Sequence, residues 1–100
     1  MLQISIGRNI GKSLPLVDSE WLLFQQAVEE SVMVHTKCGL ADTKANGVSH
    51  WQNVSEDTCI FVWFDIEALP VSLRFELKDI AKQYGQEAIA VTFGETEFIG

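Results

Sequence analysis

A glycine-containing segment that ends in Gly-Lys-Ser has the residue types of a ligand-binding loop. It runs from Gly7 to Ser13 directly after an alternating apolar stretch. Backbone amides and a lysine in such a loop can hold an anion, so Gly11, Lys12 and Ser13 form a candidate anion-binding loop. The two glycines enclose three residues, whereas a nucleoside-triphosphate loop needs four. An ordinary turn is the alternative interpretation.

The histidines and cysteines are the next candidates for chemistry. His35, Cys38, His50 and Cys59 have spacings that match no zinc finger or zinc ribbon, so we expect no metal site. His50 stands beside Trp51, and acidic residues follow later in the chain. This group could supply a general base with an orienting acid, or it could line a pocket. We assign no catalytic residue and no cofactor.

Charge and hydropathy restrict the class of protein. Seven Lys and Arg stand against fourteen Asp and Glu, for a net charge of −7. Tight sequence-independent nucleic-acid binding depends on cationic contacts, so we expect no direct nucleic-acid binding. No apolar run approaches the ~20 residues that span a bilayer, and the N-terminus lacks the pattern of a signal peptide. We expect a single domain over residues 1–100, located in the cytoplasm, with reduced cysteines and no membrane association.

The elements that must position these residues follow from hydrophobic periodicity. Alternating and continuous apolar runs predict strands, and apolar residues at helical spacing predict two helices. The segment 7–17 is predicted to be a loop, and the second strand is predicted to bend near Gly47. The tail 95–99 offers a further strand. The predicted strands are 2–6, 40–51, 58–66 and 88–93, and the helices begin near Asp18, as N-cap, and at Pro70, the second ending before Gly85.

The resulting order β-α-β-β-α-β predicts a ferredoxin-like α+β fold, with a four-stranded antiparallel sheet and both helices on one face. The predicted strand 58–66 is apolar on both faces. Either Cys59-Phe61-Trp63 or Ile60-Val62-Phe64 therefore points away from the helices. Such an apolar surface usually marks a contact surface. The interface or ligand candidates are Phe61, Trp63, Trp51, His50 and Cys59.

Four short groups of residues form a recognisable pattern. They are Val17-Asp18-Ser19-Glu20-Trp21 with Phe24, then Gly39-Leu40, Trp51, and Tyr84-Gly85-Gln86-Glu87-Ala88. This pattern resembles that of a family of small uncharacterised proteins from bacteria and phages. The resemblance implies a ferredoxin-like α+β layout and no assigned activity. It also implies a phage-encoded accessory protein that acts in the host cytoplasm.

These observations lead to three functional hypotheses. The leading one is a non-enzymatic interaction protein, such as a host-factor inhibitor, that forms a homodimer through the free face of its sheet. The second is a dimeric α+β barrel that binds a small molecule or acts as a cofactor-free enzyme, with Trp51, Trp63, His50 and Phe61 around its cavity. The third is an acidic mimic of nucleic acid. A host protein or a small-molecule ligand is the expected partner besides a second copy.

Overall fold

The computed structural model describes residues 1–11 and 14–100. Two helices and an antiparallel sheet form an α+β arrangement, as the sequence predicts. No helix in the described part of the chain is long and apolar enough to cross a membrane. The elements are β1 (Leu2–Gly7), β2 (Asn9–Ile10), β3 (Leu14–Pro15), α1 (Asp18–Thr36), β4 (Thr43–Trp51), β5 (Val54–Trp63), α2 (Val71–Gln83), β6 (Ile89–Phe93) and β7 (Glu95–Ile99).

The main sheet has five strands in the order β4-β5-β1-β6-β7, and each neighbouring pair is antiparallel. The prediction of four strands is therefore wrong. The fifth strand arises because the chain reverses at Gly94, whose φ is 83°, and residues 95–99 then pair with β6. Glycine tolerates this left-handed conformation without steric strain.

One face of the sheet carries the core. Side chains alternate between the two faces of a strand, so Leu2, Ile4 and Ile6 of β1 point to the same side, and all three are buried. Burying such a side chain stabilises the fold by roughly 1.5–3 kcal/mol. Both helices contribute to the same cluster. Their buried apolar residues are Trp21, Phe24, Val28, Val32, Leu73, Leu77, Ile80 and Ala81.

The segment before α1 differs from its prediction. Residues 7–17 are not a plain loop, because β2 pairs with β3 in a short antiparallel hairpin that we call the β2–β3 hairpin. Helix α1 begins at Asp18, but its N-cap is Val17 and no side chain caps it. Asp18 accepts a hydrogen bond from Arg8 instead, at 2.5 Å. This ion pair joins the hairpin to the start of the helix.

Strand β4 also departs from the prediction. Its pairing with β5 continues without a bulge from Thr43 opposite Val62 to Trp51 opposite Val54. The predicted bend near Gly47 is therefore wrong, because Gly47 takes an ordinary place in the ladder opposite Thr58. A bulge would have placed two residues opposite one and reversed the faces beyond it. Because the register is unbroken, the side chains beyond Gly47 continue to alternate between the two faces of the sheet.

Helix α2 ends as its sequence predicts. Gly85 has a φ of 66°, and the amides of Gly85 and Gln86 donate to the carbonyls of Lys82 and Ala81. A Cβ on Gly85 would lie 3.2 Å from the Cγ2 atom of Ile10. The end of α2 therefore lies against the β2–β3 hairpin.

Candidate functional site

A surface cavity of about 560 Å³ lies where three segments meet at one end of the sheet. The β2–β3 hairpin, the β4–β5 hairpin and the loop between α2 and β6 each contribute to its wall. We call it the acidic cavity, because the charged residues in its described lining are both glutamates. The lining residues are Asn9, Gly11, Ser49, Gln52, Val54, Glu56 and Glu87.

Strand alternation and a glycine place Glu56 in this cavity. Glu56 precedes Thr58 by two residues, so the two side chains share the sheet face that the helices leave uncovered. Gly7 pairs with Thr58 on the neighbouring strand. A Cβ on Gly7 would lie 2.5 Å from both Cδ and Oε1 of Glu56. The Glu56 carboxylate therefore occupies the space that a side chain at position 7 would fill.

Asn9 fixes the position of the Glu56 carboxylate. The backbone amide of Asn9 donates to Oε2 of Glu56 at 2.7 Å. The side-chain amide of Asn9 donates to the carbonyl oxygen of Ser55 at 3.3 Å. Only 8% of Asn9 is exposed, so these bonds are largely shielded from water. Two hydrogen bonds thus join the β2–β3 hairpin to the start of β5, and one of them holds the carboxylate.

Arg8 anchors the same hairpin. Its Nε donates to the carbonyl oxygen of Leu16 at 2.7 Å, and its guanidinium pairs with Asp18 at 2.5 Å and Asp57 at 3.1 Å. The hydrogen bond with Asp18, followed by that with Asp57, raises the pKa of Arg8. The charge of Arg8 is therefore matched by two aspartates and is not directed at Glu56.

The electrostatic character of the cavity follows from these assignments. Glu56 and Glu87 line it, and no lysine, arginine or histidine is among its described lining residues. A smaller adjoining cavity of about 220 Å³ has the same two glutamates in its wall. Carboxylates accept protons and hydrogen bonds and attract cations. No group of three or more His, Cys, Asp or Glu side chains within residues 1–11 and 14–100 is placed to hold a metal ion.

The predicted anion-binding loop lies partly at this site. Gly11 lines the acidic cavity and has a φ of 65°. Lys12 and Ser13 lie outside the described residues. The described surroundings of Gly11 are acidic, and anion binding at this loop stays a prediction.

The aromatic and cysteine candidates of β5 belong to the core. Phe61, Trp63 and Cys59 are at most 2% exposed and face the helices. Trp63 donates from Nε1 to the carbonyl oxygen of Gly39 at 3.1 Å. Burial raises the pKa of the Cys59 thiol, which keeps it protonated. These three side chains are therefore covered and offer no surface to a binding partner. Ile60 and Val62 alternate with them along β5 and lie on the face turned away from the helices. Phe64 follows the end of β5 and is exposed.

His50 and Trp51 lie near the end of β4. His50 is exposed, and its Nδ1 is 3.0 Å from the hydroxyl of Ser55. The side chain of Trp51 lies outside the described part of the structure. The structure thus separates His50 from the buried candidates of β5.

Sequence reasoning missed Asn9, Glu56 and Glu87 as a group. Asn9 stands in the glycine segment that was singled out, and Glu56 stands in a polar stretch that was predicted as a turn. The pairing of Gly7 with Thr58 brings Glu56 next to Asn9, and the pairing of β1 with β6 brings the loop that carries Glu87 to the same end of the sheet. Only a correct long-range strand register would have revealed it.

Comparison with known proteins places the fold. No family model matches the chain, and no curated protein does. The structure is similar to that of a phage SAM lyase in complex with S-methyl-5'-thioadenosine, with a TM-score of 0.53 and 16% sequence identity, over 96% of this chain and 82% of that chain. A phage SAM lyase in the apo state gives a TM-score of 0.44 and 20% identity, over 99% and 79% of the two chains.

This likeness corrects the leading functional prediction. The solved chain that shares the fold is an enzyme, so the prediction of a non-enzymatic interaction protein is wrong. The phage connection expected from the sequence reappears in the structural neighbour, which is a phage protein.

Proposed function

We propose that this protein binds S-adenosylmethionine (SAM) in the acidic cavity and cleaves it to S-methyl-5'-thioadenosine. The observation that carries the proposal is a cavity lined by two glutamates at the open end of a fold shared with a SAM lyase. A volume of about 560 Å³ falls in the usual range for small-molecule sites, about 300–1,000 Å³.

The charge of the substrate matches the cavity. SAM carries a sulfonium ion, whose positive charge no protonation equilibrium can remove. Glu56 and Glu87 provide negative charge in the described lining, and Arg8 does not neutralise Glu56 because it pairs with Asp18 and Asp57. Opposite charges within a few ångströms attract more strongly beside protein than in bulk water. The cavity therefore favours a cationic nucleoside.

The reaction breaks the bond between the sulfonium sulfur and the amino-acid side chain. Sulfur keeps the electron pair of that bond and becomes the neutral thioether of S-methyl-5'-thioadenosine. The four-carbon fragment completes its valence without a further organic reactant. Its own carboxylate can form a bond to the carbon that leaves sulfur and close a lactone ring. Alternatively, the neighbouring carbon can lose a proton to solvent water while a carbon–carbon double bond forms. Neither route requires a metal or a protein nucleophile, so the protein contributes position and electrostatics.

Three residues of the described lining have a defined role in this proposal. Glu56, held by the Asn9 amide and packed on Gly7, sets a fixed negative charge near the sulfonium. Glu87 adds a second carboxylate to the lining. The hydroxyl of Ser49 provides a hydrogen-bonding group for the ribose or adenine.

The direct test is product analysis. Purified protein is incubated with SAM, and S-methyl-5'-thioadenosine is quantified by liquid chromatography with mass spectrometry against a buffer blank. We expect release well above the blank. The Glu56→Gln variant should lose about 100-fold in kcat/KM, because a misplaced or missing charge at the reacting centre has effects of this size.

The matched control is Glu30→Gln. Glu30 is an exposed residue of α1 outside the cavity lining, so the same chemical change there should leave cleavage unaltered. Circular dichroism should first confirm that the wild-type protein is folded. If the folded protein consumes no SAM, the proposed function is refuted.

A further inference from the structure

The two glutamates of the acidic cavity are held in different ways. Glu56 is half-buried, and its Oε2 accepts the Asn9 amide at 2.7 Å. Glu87 is exposed, and in the described part of the chain no lysine, arginine or histidine forms an ion pair with it. Hydrogen bonding to a backbone amide satisfies part of the charge of Glu56. Within residues 1–11 and 14–100, no ion pair offsets the charge of Glu87.

The backbone that carries Glu87 is nevertheless well fixed. It lies in the loop after Gly85, which closes α2 with two backbone hydrogen bonds. A side chain on the C-terminal residue Gly100 would collide with the carbonyl of Glu87, so these backbones are in close contact. Glu87 therefore combines a backbone in close contact with Gly100 with an exposed residue surface, and it lines both the acidic cavity and the smaller one beside it.

We propose that Glu87 is a specificity-determining residue that captures the sulfonium cation and does not accelerate its cleavage. This inference rests on the proposed function. In this inference the two glutamates have different roles: Glu56 lies at the reacting centre, and Glu87 selects a positively charged substrate.

The change of charge during the reaction agrees with a capture role for Glu87. The positive charge on sulfur is full in the bound substrate, smaller in the transition state and absent from the thioether product. An attraction that is strongest before the reaction lowers KM and cannot raise kcat. A carboxylate that acts by attraction at the rim therefore improves capture of the cation. The same carboxylate gives no affinity to the neutral product, which favours product release.

The size of the effect follows from Coulomb attraction near a protein surface. A partly solvent-exposed pair of unit charges a few ångströms apart changes affinity by about tenfold. We therefore expect Glu87→Gln to raise KM for SAM about tenfold without lowering kcat. The same variant should leave the dissociation constant of S-methyl-5'-thioadenosine within about twofold of the wild-type value, because that ligand carries no charge for Glu87 to attract.

The experiment combines steady-state kinetics with isothermal titration calorimetry on the full chain. Wild type, Glu87→Gln and the control Glu30→Gln are compared with SAM and with S-methyl-5'-thioadenosine. The KM of the wild type should rise with added salt more steeply than that of Glu87→Gln, because screening acts on the charge that the variant lacks. Position 87 is exposed, so the variant is expected to keep the wild-type melting temperature.

The outcomes separate the inference from the proposed function. Suppose that the wild type cleaves SAM. If Glu87→Gln then has a lower kcat at unchanged KM, or binds SAM and S-methyl-5'-thioadenosine more weakly by the same factor, the inference is overturned and the proposed function stands. If the folded wild type binds SAM without cleaving it, the proposed function fails. The calorimetric comparison of the charged and neutral ligands then still decides the role of Glu87. If the wild type binds neither nucleoside, both fail.

Discussion

Replacing Gly7 by alanine puts a methyl group where the Glu56 carboxylate lies. The added Cβ would be 2.5 Å from Cδ and 2.6 Å from Oε2 of Glu56. Non-bonded carbon and oxygen atoms rest about 3.5–4.0 Å apart, so the carboxylate must move by about 1 Å or more. Gly7 is not among the described residues with positive φ, so alanine meets no backbone strain there. The perturbation therefore acts through Glu56.

The magnitude follows from the hydrogen bond that this movement breaks. The Asn9 amide and Oε2 of Glu56 are 2.7 Å apart, and an added ångström exceeds hydrogen-bonding distance. A hydrogen bond to a charged group contributes about 1.5–3 kcal/mol. Alanine recovers about 0.4–1 kcal/mol through the lower entropy of the unfolded chain. We expect a net loss of about 1–2 kcal/mol in the free energy of unfolding, or roughly 5–15 °C in Tm.

The assay is a double-mutant cycle. Urea unfolding of wild type, Gly7→Ala, Glu56→Ala and the double variant gives the coupling between the two positions. With the carboxylate absent, the alanine at position 7 has nothing to displace, so Gly7→Ala should stabilise the Glu56→Ala protein by about 0.4–1 kcal/mol. In the proposed reaction, a displacement of about 1 Å should reduce kcat/KM about 100-fold in Gly7→Ala.

The decisive feature is the change of sign between the two backgrounds. Equal destabilisation by Gly7→Ala with and without the Glu56 side chain would show that the glycine serves a purpose other than making room for that carboxylate. Full activity in Gly7→Ala would show in addition that the position of the carboxylate does not matter for the reaction.

Three further predictions concern contacts that hold the fold. Arg8→Lys keeps the charge but loses the forked guanidinium that bonds two aspartates and a carbonyl oxygen, so the Tm should fall in a thermal melt. An unchanged Tm would show that the positive charge alone suffices. Trp63→Phe leaves the Gly39 carbonyl without its donor and should cost about 1–3 kcal/mol in urea unfolding, and a loss below about 0.5 kcal/mol would contradict this. The hydrogen bond from Arg74 lowers the pKa of Glu97 from its ordinary 4.5, so their ion pair stabilises the protein above that pH and is lost as the pH falls through the lowered value. The stability difference between wild type and Glu97→Gln should therefore shrink between pH 7 and pH 3, and a constant difference would count against the pairing.

The elements themselves follow from local sequence patterns. The alternation of Leu2, Ile4 and Ile6 predicts a strand with one buried face, and the structure has it. Pro70 and Gly85 mark the two ends of α2, because proline fits the start of a helix and glycine adopts the left-handed turn that ends one. These predictions succeed because each depends only on residues that are close together in the sequence.

The choice between the two apolar faces of β5 could not be made from the sequence. Both Cys59-Phe61-Trp63 and Ile60-Val62-Phe64 are apolar, and periodicity treats them alike. The register with β1 decides, because Ile4 pairs with Phe61 and both side chains then join the core. The interface prediction consequently failed for Phe61, Trp63 and Cys59, which the helices cover.

The candidate site was decided by tertiary structure alone. Glycine, asparagine and glutamate at positions 7, 9 and 56 have no local pattern in common, and Glu87 lies about 30 residues beyond Glu56. Local periodicity determines which way a side chain points from its own strand or helix. It contains no information on which distant segment lies opposite, and that depends on strand pairing across the whole sheet. The sequence thus determined the elements and the acidic charge, whereas the pairing of β1 with β5 on one side and with β6 on the other determined that two of those charges share a cavity.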